Sequence, residues 1–132
     1  MTLDSRTADL ARLRSEAETR GGTPYLITVT GDLRPHCSVV RPEWDPATGP
    51  IVAAPGKWGE SEEAGHRAVT LLWPPAEEDG YTLIADGTAA PLGPPSQLQL
   101  RITPTRVVLH RPGRAQRPGS PCGADCIQIL PS

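Results

Sequence analysis

The sequence predicts a mainly β protein, a small antiparallel β-barrel with an N-terminal helix and one short inserted helix. The 132 residues include 16 prolines and no phenylalanine, and so much proline favours short strands and loops over long helices. About seven short apolar stretches, bounded by turn residues, have the pattern of strands. The connections between them are shorter than the dozen or so residues of a parallel crossover, and closure into a barrel removes exposed strand edges.

The first predicted element is an amphipathic helix. Asp4, Ser5 and Thr7 are candidate N-caps, and the sequence RGG at residues 20–22 is a stop signal. Between these signals, small and apolar residues recur at spacings that give one apolar face: Ala8, Leu10, Ala11, Leu13 and Ala17. We therefore expect one face of this helix to be covered by the rest of the domain.

The strands follow as short runs bounded by Pro, Gly and Asp. The run PYLITVT at 24–30 alternates with a period of two, and HCSVVRPEW at 36–44 returns after the turn GDLRP, so a hairpin is predicted. PIVAAP at 50–55 predicts a third strand. AVTLLWPP, YTLIADGTAAPL, LQLRIT and TRVVLH predict four more. Within them, DGTA predicts a β-bulge at Gly87.

Two further segments complete the chain. Residues 57–66 contain helix formers between two helix breakers, and they predict the short inserted helix. The C-terminal residues are rich in Pro and Gly, which predicts an extended or flexible tail. We therefore divide the chain into a barrel domain at 1–112 and a tail at 113–132.

Charge and composition exclude several classes of partner. The formal net charge of −2 gives no general attraction to nucleic acid or to anionic lipid. No apolar run approaches the roughly 20 residues of a membrane span. The charged start of the chain lacks the apolar stretch of a signal peptide, so we expect a cytoplasmic protein. Cys122 and Cys126 have a C-x3-C spacing, but zinc needs about four ligands, and we expect ordinary thiols and no metal site.

The succession of these segments resembles one known family. The phrases RPEWD, VTLLWPP and DGTA, in the order of the predicted strands over residues 20–112, resemble the pyridoxamine 5'-phosphate oxidase-like family of FMN-binding split β-barrels. The resemblance implies a homodimer with FMN, or a deazaflavin, between the two barrels, and a small-molecule ligand or substrate. It does not select an activity, because similar barrels include oxidases, reductases and haem-handling proteins.

The resemblance also implies where the flavin would lie. In such proteins it is held by the strand that corresponds to HCSVVR and by the segment after the third strand, here GKWGESEEAGH. Carried over position by position, Ser38, Val39 and Val40 would border the ring, with Arg41 after them and Lys57 within a residue or two of a phosphate-binding position. The predicted cofactor-binding residues also include Trp58 and Ser61. Arg41 and Lys57 would anchor the phosphate, which needs fixed cationic groups. Trp58 would cover the ring, because core packing is not expected in its polar, glycine-flanked loop. No catalytic residue is assigned.

The sequence departs from the family pattern around its only lysine. Lys57 is followed by Glu60 and Glu62, at positions where family members tend to have basic or amide residues, and Glu63 adds a third negative charge. Two like charges about 4 Å apart repel by about 1 kcal/mol even in water, so a phosphate would be disfavoured. Two alternatives remain open. The glutamates could form a solvated helical face stabilised by the helix dipole, or they could pair with Lys57 and Arg67.

Two functions are therefore consistent with the sequence. The first is an FMN-dependent oxidoreductase acting on a small organic substrate, in which the cofactor supplies the reactive chemistry, since no nucleophile motif occurs. The second is a split-barrel protein that has lost tight FMN binding and acts as a ligand-binding or accessory protein. The three glutamates favour the second function.

Overall fold

A computed structural model describes residues 5–29, 31–55, 58, 67–112 and 124–131, the side chain of Ala124 excepted. Helix α1 spans Ser5–Thr19, and a short 3-10 helix spans Pro95–Gln97. The strands in the described residues are β1 (Tyr25–Val29), β2 (Pro35–Val39), β3 (Glu43–Asp45), β4 (Gly49–Ala53), β5 (Ala68–Trp73), β6 (Thr82–Leu92), β7 (Gln99–Pro112) and β8 (Ala124–Leu130).

The strands form one sheet, in which all described pairings are antiparallel. The order is β2-β1-β5-β6-β7-β4-β3, and β8 pairs with the C-terminal half of β7. Strands β2 and β3 are the two ends of this order, and only residues 40–42 separate them in the chain. A short segment therefore connects the two edge strands. Across the interior, the rings of Trp44 on β3 and Trp73 on β5 stack with centroids 6.2 Å apart. The predicted antiparallel split barrel with an N-terminal helix is confirmed.

The core lies inside this curved sheet and under α1. Its largest fully buried side chains in the strands are Leu26, Leu71, Trp73, Leu83, Leu100 and Ile102. From α1, Leu10, Leu13 and Ala17 are buried, as the helical spacing predicted, whereas Ala8 and Ala11 are exposed. Burial of each leucine stabilises the fold by about 1.5–3 kcal/mol. The helix therefore covers the barrel with a narrower face than the sequence suggested.

The predicted β-bulge lies where β6 meets β7. The register between these strands shifts between Asp86 and Gly87. A β-carbon on Gly87 would collide with the carbonyl oxygen of Thr103 on β7. The bulge therefore brings two backbones so close that only glycine fits.

The described part of the C-terminal segment is a strand of the barrel sheet. β8 pairs with residues 107–112 of β7, and its Ile129 and Leu130 are 1% and 4% exposed. The sequence predicted an extended or flexible tail beginning at residue 113, and it did not predict this pairing. The boundary at residue 112 thus falls between two strands that share hydrogen bonds. The predicted short helix at 57–66 lies outside the described residues except for Trp58.

A connected set of polar contacts ties α1 and β8 to the barrel. The Arg20 guanidinium at the end of α1 donates two hydrogen bonds to the Tyr81 carbonyl, at 3.0 and 2.9 Å. The Arg111 guanidinium lies 4.3 Å from the centroid of the Tyr81 ring. Asp125 on β8 accepts hydrogen bonds from the Tyr81 hydroxyl at 2.9 Å and from Arg111 Nε at 3.0 Å.

Among the described elements, α1 is not long and apolar enough to cross a membrane.

Candidate functional site

Strand β2 distributes the predicted ring-bordering residues over both faces of the sheet. Val39 is opposite Tyr25 on β1, and these side chains are 65% and 42% exposed. Ser38 is opposite Leu26, which is fully buried. Val40 is partly buried and packs against the core. A ligand on one face of β2 would therefore contact the side chain of Val39 or those of Ser38 and Val40, but not all three.

The inner face of the β1–β2 hairpin has an unusual group of polar side chains. Thr28 is opposite His36, and Ser38 follows two residues later on the same face. We call Thr28, His36 and Ser38 the polar row. Thr28 Oγ1, His36 Nδ1 and Ser38 Oγ are buried, and none has a hydrogen-bond partner among the described residues. These atoms form a patch of hydrogen-bonding capacity beside an otherwise apolar core.

The outer face of the same hairpin is apolar. It continues from β2 through β1 to β5 and β6 and consists of Tyr25, Ile27, Cys37, Val39, Leu72 and Ile84, which we call the outer apolar face. Tyr25 and Val39 are two of the four exposed large hydrophobic residues in the described part of the chain. On β6 this face ends at Asp86, which accepts a 2.6 Å hydrogen bond from Thr70. An apolar surface of this kind is typical of a binding or association site.

Trp58 lies in the core, which reverses the expectation from its polar, glycine-flanked neighbours. Its side chain is 1% exposed and belongs to the main apolar cluster. Its backbone N–H donates a 3.0 Å hydrogen bond to the carbonyl of Pro55, just beyond β4. Its indole Nε1 is buried and has no partner in the described part of the chain. Trp58 therefore contributes packing, and its contact with a flavin stays a prediction.

The remaining predicted residues divide into two groups. Arg41 is exposed and follows β2 directly. Lys57 and Ser61 lie outside the described residues, as do Glu60, Glu62 and Glu63, so their assignments stay predictions. Cys37 and Cys126 are exposed free thiols, and Cys122 also lies outside the described residues. Within the described ranges no group of three or more His, Cys, Asp or Glu side chains could hold a metal ion.

FMN needs two kinds of contact, and the described residues provide mainly one of them. The outer apolar face suits the faces of a ring system. The phosphate needs cationic groups, and of the two predicted anchors only Arg41 is described. The outer apolar face thus fits the ring, while the anchoring of the phosphate by Arg41 and Lys57 stays a prediction.

Sequence comparison finds relatives in mycobacteria. The uncharacterized protein Mb0449c of Mycobacterium bovis is 36% identical over 116 residues, which covers 78% of this chain and 82% of that protein. The uncharacterized protein MT0457 of Mycobacterium tuberculosis matches with the same identity and coverage. The chain belongs to the family of these mycobacterial proteins. No family model matches the sequence.

Solved structures confirm the fold of this family. A Clostridium acetobutylicum protein related to general stress protein 26, described as of the pyridoxinephosphate oxidase family, has a TM-score of 0.60 at 10% identity and covers 96% of this chain and 97% of its own. PhzG of Burkholderia lata, in complex with tetrahydrophenazine-1-carboxylic acid, has a TM-score of 0.58 at 16% identity, with coverage of 90% and 89%. HutZ, a heme storage protein of Vibrio cholerae, has a TM-score of 0.51 at 14% identity, with coverage of 69% and 88%. The fold is that of the pyridoxamine 5'-phosphate oxidase-like split barrels.

Proposed function

We propose that this protein is a homodimer that binds a small molecule with a conjugated ring, with β2 and the outer apolar face lying between two copies of the barrel. The observation that carries the proposal is the orientation of β1. Its more apolar residues, Tyr25, Ile27 and Val29, face outward, whereas Leu26 and Thr28 face the core. An outward apolar face is stable when a second protein surface or a ligand covers it.

The structural neighbours support the class of ligand. PhzG was solved with a tricyclic carboxylic acid, and HutZ is described as a heme storage protein. Both ligands present large conjugated rings. We extend this class to the present chain because the exposed side chains of Tyr25 and Val39 form apolar surface against which a ring can pack. A cytoplasmic location, expected from the sequence, is also part of the proposal.

The first specific candidate is an FMN-dependent oxidoreductase. A bound flavin would supply the redox chemistry by accepting a hydride from a small organic substrate. The protein would position the ring against β2 and hold the phosphate with Arg41 and Lys57. Their cationic side chains favour this candidate, because a phosphate taken from water needs fixed positive charge.

The second candidate is a split barrel without tight FMN binding, which binds a less anionic ligand at the same site. The sequence Glu60, Glu62 and Glu63 beside Lys57 favours it, since carboxylates close to a phosphate oppose its binding. Of the two candidates, this one accounts for the acidic residues that follow Lys57 in the sequence.

Titration with FMN distinguishes the two candidates. For the oxidoreductase we expect a yellow purified protein that releases FMN on denaturation and whose unfolding free energy rises by about 2.7 kcal/mol at 100 times the dissociation constant. For the second candidate we expect a colourless protein whose melting temperature does not respond to FMN. Light absorption and thermal unfolding are the measurements. A colourless protein that also fails to bind riboflavin, heme and a phenazine carboxylate would contradict the proposed ligand class.

Exchange of the acidic residues tests their effect on phosphate directly. We expect the double variant Glu60→Arg with Glu62→Asn to bind FMN at least tenfold more tightly than the parent at low salt, because it removes two negative charges and adds a positive one. The matched control is Glu77→Arg with Glu78→Asn, which makes the same change in an exposed segment between β5 and β6. Equal FMN affinity of the parent and both variants would mean that these glutamates form only a solvated surface.

A further inference from the structure

The polar row has buried hydrogen-bonding atoms that a flavin bound on the outer apolar face would not contact. Thr28 is 2% exposed and, like Leu26 two residues earlier on β1, faces the core. Its hydroxyl oxygen, the Nδ1 of His36 and the hydroxyl oxygen of Ser38 are all buried and without a partner among the described residues. The row lies on the inner face of β2, whereas Val39 and the outer apolar face lie on the other side.

The spacing of the row allows one small molecule to reach more than one of these atoms. Thr28 and His36 are directly opposite in the register, so their β-carbons are about 4.5–5.5 Å apart. Thr28 and Ser38 are diagonal neighbours, about 7–8 Å apart between α-carbons. A molecule that hydrogen-bonds at about 2.7–3.2 Å to each side spans such gaps.

Three unpaired polar atoms side by side are unfavourable in a protein core. A buried polar group without a hydrogen bond destabilises the fold, and natural proteins satisfy more than nine-tenths of such groups through protein, water or ligand. The three groups combine hydroxyls, which donate and accept, with an imidazole nitrogen, which does either. Among the described residues, no ion pair or metal-ligand cluster involves them. This combination matches an uncharged partner better than an ion.

We infer that the polar row is a binding site for an uncharged chemical group that both donates and accepts hydrogen bonds. Two sources have this chemistry: ordered water held inside the barrel, and the amide or hydroxyl part of a bound organic compound. The site is separate from the outer apolar face, and it does not depend on whether the protein binds a flavin.

The test is the sign of the stability change when the Thr28 hydroxyl is removed. Thr28→Val keeps the shape of the side chain and removes its hydrogen-bonding capacity. If a bound molecule pairs with the hydroxyl, we expect the melting temperature to fall by about 3–5 °C. If the hydroxyl is unpaired, its replacement by a methyl group leaves the melting temperature unchanged or raises it, and this result would overturn the inference. Thr88→Val, on the exposed side of β6, is the matched control and should change the melting temperature by less than about 1 °C.

A double-mutant cycle tests whether one molecule joins the groups. Ser38→Ala alone should also lower the melting temperature, and Thr28→Val with Ser38→Ala should lower it by less than the sum of the single effects, because both lose the same bound molecule. Additive effects would contradict a shared molecule. Mass spectrometry of the denatured parent and of Thr28→Val identifies the source. A compound released only by the parent indicates an organic ligand, and its absence together with the stability loss indicates water.

Discussion

At the scale of the residue, Gly87 determines how closely β6 and β7 approach. The backbone of Thr103 occupies the space that a β-carbon at residue 87 would need. The register with β7 shifts at this point, between Asp86 and Gly87. Beside the bulge, the Thr70 hydroxyl donates a 2.6 Å hydrogen bond to the Asp86 carboxylate. The bulge therefore lies at the polar border of the outer apolar face.

Gly87→Ala is expected to destabilise the protein by about 2 kcal/mol, because the added methyl group must displace backbone rather than a flexible side chain. Urea unfolding measures the effect as a lower midpoint with an unchanged slope. Thr88→Ala is the control one residue further along β6, where the side chain is exposed, and it should cost about 0.5 kcal/mol or less. Equal midpoints for Gly87→Ala and the parent would contradict the close approach of the two strands.

The placement of some single residues could be predicted from the sequence, and the placement of others could not. Gly87 was predictable, because a glycine inside a strand pattern has few explanations other than a bulge. Trp58 was not, because its burial depends on the barrel that surrounds it and not on its polar neighbours. The alternation in β1 predicted a strand, but it could not tell which face is inside. The more apolar set, which includes Tyr25 and Ile27, faces outward.

At the scale of the element, α1 and β8 are secured by the same polar contacts. Arg20 has a side chain that is only 8% exposed and connects α1 to the carbonyl of Tyr81. Tyr81 and Arg111 then hold Asp125 near the start of β8. Strand β8 was not predicted, because the proline and glycine before it indicate a loop and because its pairing with β7 is a long-range contact. The alternation in CIQIL was the only local signal for a strand.

Asp125→Ala is expected to loosen β8 without unfolding the barrel. The variant loses the bond from Tyr81 and the ion pair with Arg111, whose side chain is 40% exposed. Because solvent weakens that ion pair, we expect a loss of about 1–2 kcal/mol. Hydrogen exchange should be faster at the amides of β8 and little changed in β5. Glu18→Ala, which removes an exposed pair with Arg14 on α1, is the control and should alter neither. Unchanged exchange in β8 would show that strand pairing alone holds this segment.

At the scale of the whole molecule, the fold was more predictable than the site. Strand patterns and short connections predicted an antiparallel barrel, and the resemblance in RPEWD, VTLLWPP and DGTA indicated its type. The site depends on which side of β2 each residue faces, and this requires the register with β1. The register separates Ser38 from Val39, leaves Arg41 exposed after the strand, and brings Thr28 opposite His36. Only the folded sheet shows these relations.

The outer apolar face should be the surface through which two copies associate. At micromolar concentration we expect light scattering to give about twice the monomer mass of 14.1 kDa. Val39→Lys places a charge on that face, at a position where the native residue is 65% exposed. A buried, unpaired charge at an interface is unfavourable, so the dimer dissociation constant should rise at least tenfold. Leu33→Lys is the matched control, because Leu33 is 69% exposed but lies in the turn between β1 and β2, away from the face. It should leave the dimer intact. A monomeric parent protein, or equal dissociation of both variants, would contradict association through this face.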